Sequence, residues 1–238
     1  MRIGDLLRTS LWDIFPRDHW QSPADFRRRQ AVTVVVVLIG AIVLALSLRI
    51  EPGSPSFYPA TLVLAAVWAI GGFASGPLHL GRIETGPQTG DRIGDRARRP
   101  IVQPIVIGLA LSAVFTVGAL IVREIPLLEK QVSSVLDFAN QGVGPLVLLV
   151  TVLNGIAEEL FFRGAVYAAV KKHQVAVTAV AYCLTTAATG NIMLTFAALI
   201  LGVVVGLQRR ASGGVLAPIL THLTWSVSML YVLPAIFG

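Results

Sequence analysis

The 238 residues are 55% hydrophobic and only 13% charged, with a formal net charge of +6. About a quarter of a soluble domain is charged, so this composition excludes an ordinary soluble enzyme and points to one membrane domain. The nineteen Lys and Arg flank apolar runs, as membrane-topology signals do, so the lipid bilayer is the expected partner and nucleic acid is not.

Residues 1–30 read as a cytosolic interfacial segment. Ile3, Leu6, Leu7, Leu11, Ile14 and Phe15 recur at helical spacing beside Trp12, among Arg2, Arg8, Arg17 and the run Arg27-Arg28-Arg29. That pattern predicts a short helix lying on the membrane surface. Pro16 and Pro23 divide the segment, and His19 and Trp20 read as a solvated imidazole and an interfacial aromatic. No cleavable signal peptide is evident, because the first apolar run starts late and lacks a small-residue cleavage site.

Residues 31–238 read as the membrane domain. Ala31–Leu48 is Val-rich, but in lipid its backbone must close its own hydrogen bonds, and continuous apolarity without alternation excludes a barrel. A Pro/Gly/Ser turn over Glu51–Pro59 leads to a second span at Tyr58–Ala74. Ser75–Arg99, rich in Gly and Arg, reads as a flexible solvated loop in which His79 has no ligand nearby. The third span, Ile101–Val122, precedes a mixed-charge loop with Glu124, Glu129, Lys130 and Asp137.

The fourth span, Val143–Val170, exceeds the roughly 20 residues a bilayer needs, so it is tilted, bent or emergent at one end. Lys171-Lys172-His173 closes it. The fifth, Val175–Thr189, is short and ends in Thr185, Thr186, Thr189, Gly190 and Asn191. Its single thiol, Cys183, leaves no partner for an intramolecular disulfide and reads as buried and inert. The sixth, Ile192–Leu207, follows a turn that either lines a shared cavity or reaches the outer surface. Arg209-Arg210 and Ser212-Gly213-Gly214 lead to the seventh, Val215–Val232. The expected fold is an all-α polytopic bundle of about seven transmembrane helices. An N-in, C-out arrangement puts fifteen of the nineteen Lys and Arg on the cytosolic side. No internal repeat supports an inverted-repeat transporter.

The chemistry concentrates in Asn154-Gly-Ile-Ala-Glu158-Glu159-Leu-Phe-Phe-Arg163-Gly164, three ionisable side chains inside an apolar run. A charge at mid-bilayer costs roughly 2.5–3.5 kcal/mol on insertion scales, so these need pairing or a task. Glu159 and Arg163 stand four apart and share a helix face. Glu158 lies about 100° round the helix, on the side of Asn154, which leaves it as the free acid. His222 is the one histidine in the spans, with Ser226 one turn on. A carboxylate in a dry pocket can activate water against a carbonyl while an imidazole steadies the oxyanion. No His-Glu-x-x-His motif is present, and Ser212, in a surface turn after two arginines, reads as a turn former.

Glu158-Glu159-x-x-x-Arg163 with its flanks, and Ala217-Pro-Ile-Leu-Thr-His222, resemble the first and last signatures of the CAAX protease and bacteriocin-processing family. These are intramembrane proteases, bacterial relatives of the prenyl-protein endopeptidase. The resemblance covers about residues 143–235. It implies that Glu158 and His222 are catalytic, with Glu159 and Arg163 supporting them. Two positions depart from it. Tyr182-Cys-Leu-Thr-Thr186 puts Thr186 where the family's middle signature has a histidine, and Ser226 replaces the last signature's asparagine. Asn191, near the tight turn, is a candidate source of a replacement amide.

The expected function is therefore an intramembrane endopeptidase acting on membrane-associated peptides by glutamate-activated water. It would sit in the plasma (inner) membrane with its cavity open to the cytosol. The alternative is a non-catalytic relative that binds a membrane peptide or partner protein in the same cavity. A proton-coupled transporter is the remaining class, since buried Glu and His also serve proton relays. No cofactor is implied, and a divalent metal is left open.

Overall fold

The structure, a computed structural model, describes residues 3–15, 20–84 and 97–238. Arg2, Pro16, Arg17, His19 and the middle of the basic loop lie outside the described residues. The chain folds as a helical membrane bundle. Among the described residues six helices are long and apolar enough to cross a membrane: α2 (Pro23–Ser47), α3 (Phe57–Ser75), α4 (Val102–Val122), α6 with its extension (Gly144–Val166), α8 (Ile192–Ser212) and α9 with its extension (Leu216–Phe237). The expected fifth span is α7 (Gln174–Ala187), 14 residues long, or about 21 Å at the helical rise. That is shorter than the roughly 30 Å hydrocarbon core.

Several boundaries differ from the sequence reading. The first long helix begins at Pro23 rather than Ala31, because the Ser22 hydroxyl accepts from the Asp25 amide at 3.1 Å and Pro23 takes the first helical position. The Arg27–Arg29 run therefore belongs to this helix. The mixed-charge loop is largely a helix, α5 (Pro126–Asn140). Its Leu136 and Phe138 are buried, and Phe138 stacks on Phe57 at 4.6 Å. Charges on its outer face hid the apolar stripe. α8 extends to Ser212 and includes Arg209 and Arg210; it stops where Gly213 turns left-handed at φ 66°.

The Ser75–Arg99 loop is also partly ordered. The Val215 and Leu216 amides donate to the His79 and Leu80 carbonyls at 2.8 and 3.0 Å, and the Arg82 amide to Ser212 at 2.8 Å. Two short strands, β1 (Ile83–Glu84) and β2 (Ala97–Arg98), then pair antiparallel. The N-terminal α1 (Ile3–Leu7) continues into a π-helical turn, Arg8–Trp12. It docks on the end of α8: the Phe15 amide donates to Ala211, and Arg210 Nη2 donates to the Leu11 carbonyl at 3.1 Å. Trp12, Ile14 and Trp20 stay exposed.

These contacts gather the N-terminal segment, the basic loop and the α8–α9 turn at one end of the bundle. Gln21 and Gln30 join them by donating to the Ala168 and Ala169 carbonyls at the close of α6. At the opposite end the Tyr58 hydroxyl accepts from the Val143 amide at 2.7 Å, capping α6. The apolar outer faces of α2 and α4, including Leu38, Ile42, Val114 and Val117, are exposed, as lipid-facing helices require.

Candidate active site

The motif helix changes pitch at the motif itself. α6 is α-helical over Gly144–Glu159 and π-helical over Leu160–Val166; π-turns recur at functional sites. The turn following the glutamates is buried on every side. Trp68 of α3 stacks on Phe161 at 5.0 Å and meets Phe162 at 5.2 Å, and Phe162 packs on Tyr182 of α7 at 4.9 Å. Phe161, Phe162 and Trp68 are 0–1% exposed and belong to one apolar cluster with Leu64, Ala157 and Tyr182. This cluster holds the glutamates against three neighbouring helices.

Glu159 is the hub. Its Oε1 accepts from Arg163 Nη1 at 3.0 Å and meets His222 Nδ1 of α9 at 2.8 Å. The Glu159 and Arg163 side chains are wholly buried, and that of His222 is 7% exposed. A buried pair costs desolvation and survives only where further hydrogen bonds offset it. The guanidinium gains more from the Tyr182 ring, whose centroid lies 4.7 Å from Cζ. Its other side meets α8, where a Cβ on Gly202 would stand 3.4 Å from Nη2. The backbone carbonyl of Arg163 accepts from Arg209 Nε at 2.7 Å. Glu159 Oε2 and Arg163 Nε and Nη2 are buried without a hydrogen-bond partner.

Glu158 points to the other side of the helix. Its Oε2 accepts from the Tyr182 hydroxyl at 2.6 Å, the length of a charge-assisted bond to a carboxylate. His222, Glu159 and Arg163 all lie within electrostatic range of it. The imidazole therefore bonds to the second glutamate rather than the first. With Nδ1 engaged by Glu159, its Nε2 edge lies along α6, where a Cβ on Gly155 would stand 3.9 Å away. The tight neighbour of that Cβ would be Leu223, whose Cδ2 lies 3.0 Å from it. Thr221, one residue earlier, anchors α9 by donating to the Pro104 carbonyl of α4 at 2.8 Å.

The supporting candidates have varied placements. Asn154 Nδ2 donates to the Val150 and Thr61 carbonyls, tying α6 to α3, while its Oδ1 is buried without a partner. The Thr186 hydroxyl donates to the Tyr182 carbonyl at 3.0 Å, within its own helix. Asn191 caps α8 by accepting from the Leu194 amide, and donates to the Gln131 carbonyl of α5 at 2.7 Å. Ser226 sits half-buried on α9. Ser212 bonds the Gln208 carbonyl and the Gly214 backbone, so it shapes the turn.

Sequence reasoning missed Tyr182 as a Glu158 partner. The available signal was its place in an apolar helix with a hydroxyl that burial obliges to find an acceptor. A cavity of about 580 Å³ near His79, Arg82, Arg99 and Ser212 opens at the α8–α9 turn, and the carboxylates do not line it. Among the described residues no cluster of three or more His, Cys, Asp or Glu side chains is placed to hold a metal ion.

No curated protein and no solved structure matches the chain. A family model does match, over residues 140–228, and its description is type II CAAX prenyl endopeptidase Rce1-like. That stretch runs from the end of α5 to α9 and contains Glu158, Glu159, Arg163, Tyr182 and His222. Residues 140–228 are thus similar to the Rce1-like CAAX prenyl endopeptidase family.

Proposed function

We propose that the chain is an intramembrane endopeptidase that hydrolyses membrane-associated peptides with water activated by Glu158. One observation carries this reading. Two adjacent glutamates, Glu158 half-buried and Glu159 fully buried, have separate partners: Tyr182 for Glu158, Arg163 and His222 for Glu159. Glu158 takes a proton from water as the water oxygen attacks the scissile carbonyl carbon. The carbonyl π electrons move to its oxygen, and the oxyanion is met by Nε2–H of His222, whose Nδ1–H is committed to Glu159. Collapse breaks the C–N bond, and Glu158 returns the proton to the leaving nitrogen. One water and one peptide bond yield a carboxylic acid and an amine.

Glu159 sits between the Arg163 guanidinium and the His222 imidazole, which limits the cost of burying its charge. A positioned base contributes roughly 10²–10⁴ in rate, and one oxyanion donor roughly 10²–10³. The chain is read as lying in the plasma (inner) membrane, N-terminus inward, with the site open to the cytosol. This orientation rests on the basic segments gathered at one end of the bundle.

The family description supplies the first probe, an internally quenched reporter peptide ending in farnesyl-Cys-aliphatic-aliphatic-X, presented to protein in proteoliposomes. Glu158→Gln is expected to lower turnover at least 10²-fold with little change in melting temperature. Wild-type turnover in that variant sinks the mechanism.

A second reading, a non-catalytic relative that binds a membrane peptide, is favoured by Thr186. Its hydroxyl is engaged by its own helix and supplies no second imidazole. This reading predicts stoichiometric peptide binding without cleavage, and Glu158-dependent hydrolysis excludes it.

A further inference from the structure

We propose that Tyr182 is the positioning residue for Glu158 and couples the two halves of the site. This inference rests on the hydrolase reading for its kinetic consequence and on geometry for the rest. Three contacts fix the phenol. Its ring packs on Phe162 at 4.9 Å, the Arg163 guanidinium lies over its face at 4.7 Å, and its hydroxyl donates to Glu158 Oε2 at 2.6 Å. The residue is 8% exposed, so neither ring nor hydroxyl has free rotation to spend.

The consequence for Glu158 is directional. A carboxylate has two oxygens, each able to accept. Holding Oε2 on the phenol stops rotation about the last side-chain bond and leaves Oε1 to accept from the attacking water. A base held in a near-attack arrangement avoids the entropic cost of finding it. Meanwhile a face of the ring is committed to Arg163, which binds Glu159, which binds His222. Tyr182 therefore joins the base to the imidazole network through one rigid ring. Thr186, one turn later on α7, makes no such link, because its hydroxyl returns to the Tyr182 carbonyl.

The test is Tyr182→Phe, which keeps the ring on Phe162 and under Arg163 and removes only the hydroxyl. Two readouts are taken on reconstituted full-length protein. One is turnover of the farnesylated reporter peptide; the other is the carboxylate antisymmetric stretch in infrared difference spectra, assigned to Glu158 by its loss in Glu158→Gln. The expected result is a fall of about tenfold to a hundredfold in kcat, the worth of a hydrogen bond to a charged group. KM should change less than about threefold, since the reporter's uniform binding is untouched. The Glu158 band should shift in frequency.

Wild-type kcat in Tyr182→Phe, or an unshifted band, overturns the proposal. If wild-type protein cleaves no reporter, the hydrolase reading fails by itself, and the band alone then decides: a shift upholds the Tyr182–Glu158 coupling and no shift overturns it. Should Tyr182→Phe fold poorly, 3-fluorotyrosine at position 182 perturbs the hydroxyl without removing it. A moved Glu158 band then supports the coupling, and an unmoved band overturns it.

Discussion

Replacing Arg163 by Met tests whether the buried network is a structural unit. Methionine keeps an unbranched apolar stem and removes the charge, the hydrogen bond to Glu159 at 3.0 Å and the guanidinium contact with the Tyr182 ring. Glu159 keeps one partner, His222 at 2.8 Å, and its Oε2 already lacks one. Removing one member of a buried pair costs about 3–5 kcal/mol because the other charge stays desolvated. For a chain of this size each kcal/mol moves the melting temperature by roughly 2–4 °C, so a drop of roughly 6–20 °C is expected. Thermal unfolding in detergent, followed by tryptophan fluorescence, measures it, with Trp68 stacked on Phe161 inside the same cluster. The double variant Glu159→Gln/Arg163→Met removes both charges and should recover at least about 1.5 kcal/mol relative to the sum of the singles. If the two substitutions add within about 0.5 kcal/mol, or if Arg163→Met melts with the wild type, the pair does not hold the helix and the reasoning fails.

Other consequences follow from single contacts. His222→Ala should lower reporter turnover by roughly 10²–10³, while circular dichroism shows the helical content retained. Gly40 of α2 faces the Trp68 indole so closely that a Cβ would overlap it. Gly40→Val should therefore cost about 1–3 kcal/mol through overpacking, read as an earlier thermal transition, and an unchanged transition would show that the two helices can part. Tyr58→Phe removes the cap on the Val143 amide. A loss of about 1 kcal/mol should speed amide exchange at the start of α6 by roughly fivefold, and equal exchange in both proteins would contradict that cap.

Much of the fold was legible because a bilayer leaves the backbone few choices. Runs such as Ile101–Val122 read directly as helix, and the structure begins that helix at Val102. Elements away from lipid were less legible. α5 carries Glu129, Lys130 and Asp137 on a face that water tolerates, so its buried Leu136 and Phe138 gave only a weak signal. The Leu78–Arg82 stretch has loop composition, and its order comes from the α8–α9 turn accepting and donating across a long sequence separation. No local pattern encodes such a contact.

The site divides in the same way. Helical periodicity alone determined that Glu159 shares a face with Arg163 and that Glu158 turns away, since both statements depend only on spacing along one helix. Which partner each carboxylate meets depends on how α7 and α9 pack against α6, and only the tertiary structure decided it. It gave His222 to Glu159 at 2.8 Å and Tyr182 to Glu158 at 2.6 Å, while Thr186 and Asn191 were engaged by backbone groups. The spacing of residues within a helix is set by hydrogen bonds every four residues. The pairing of residues between helices is set by which side chains fill the space between them, and Phe161, Phe162 and Trp68 settle that at positions no charge pattern marks.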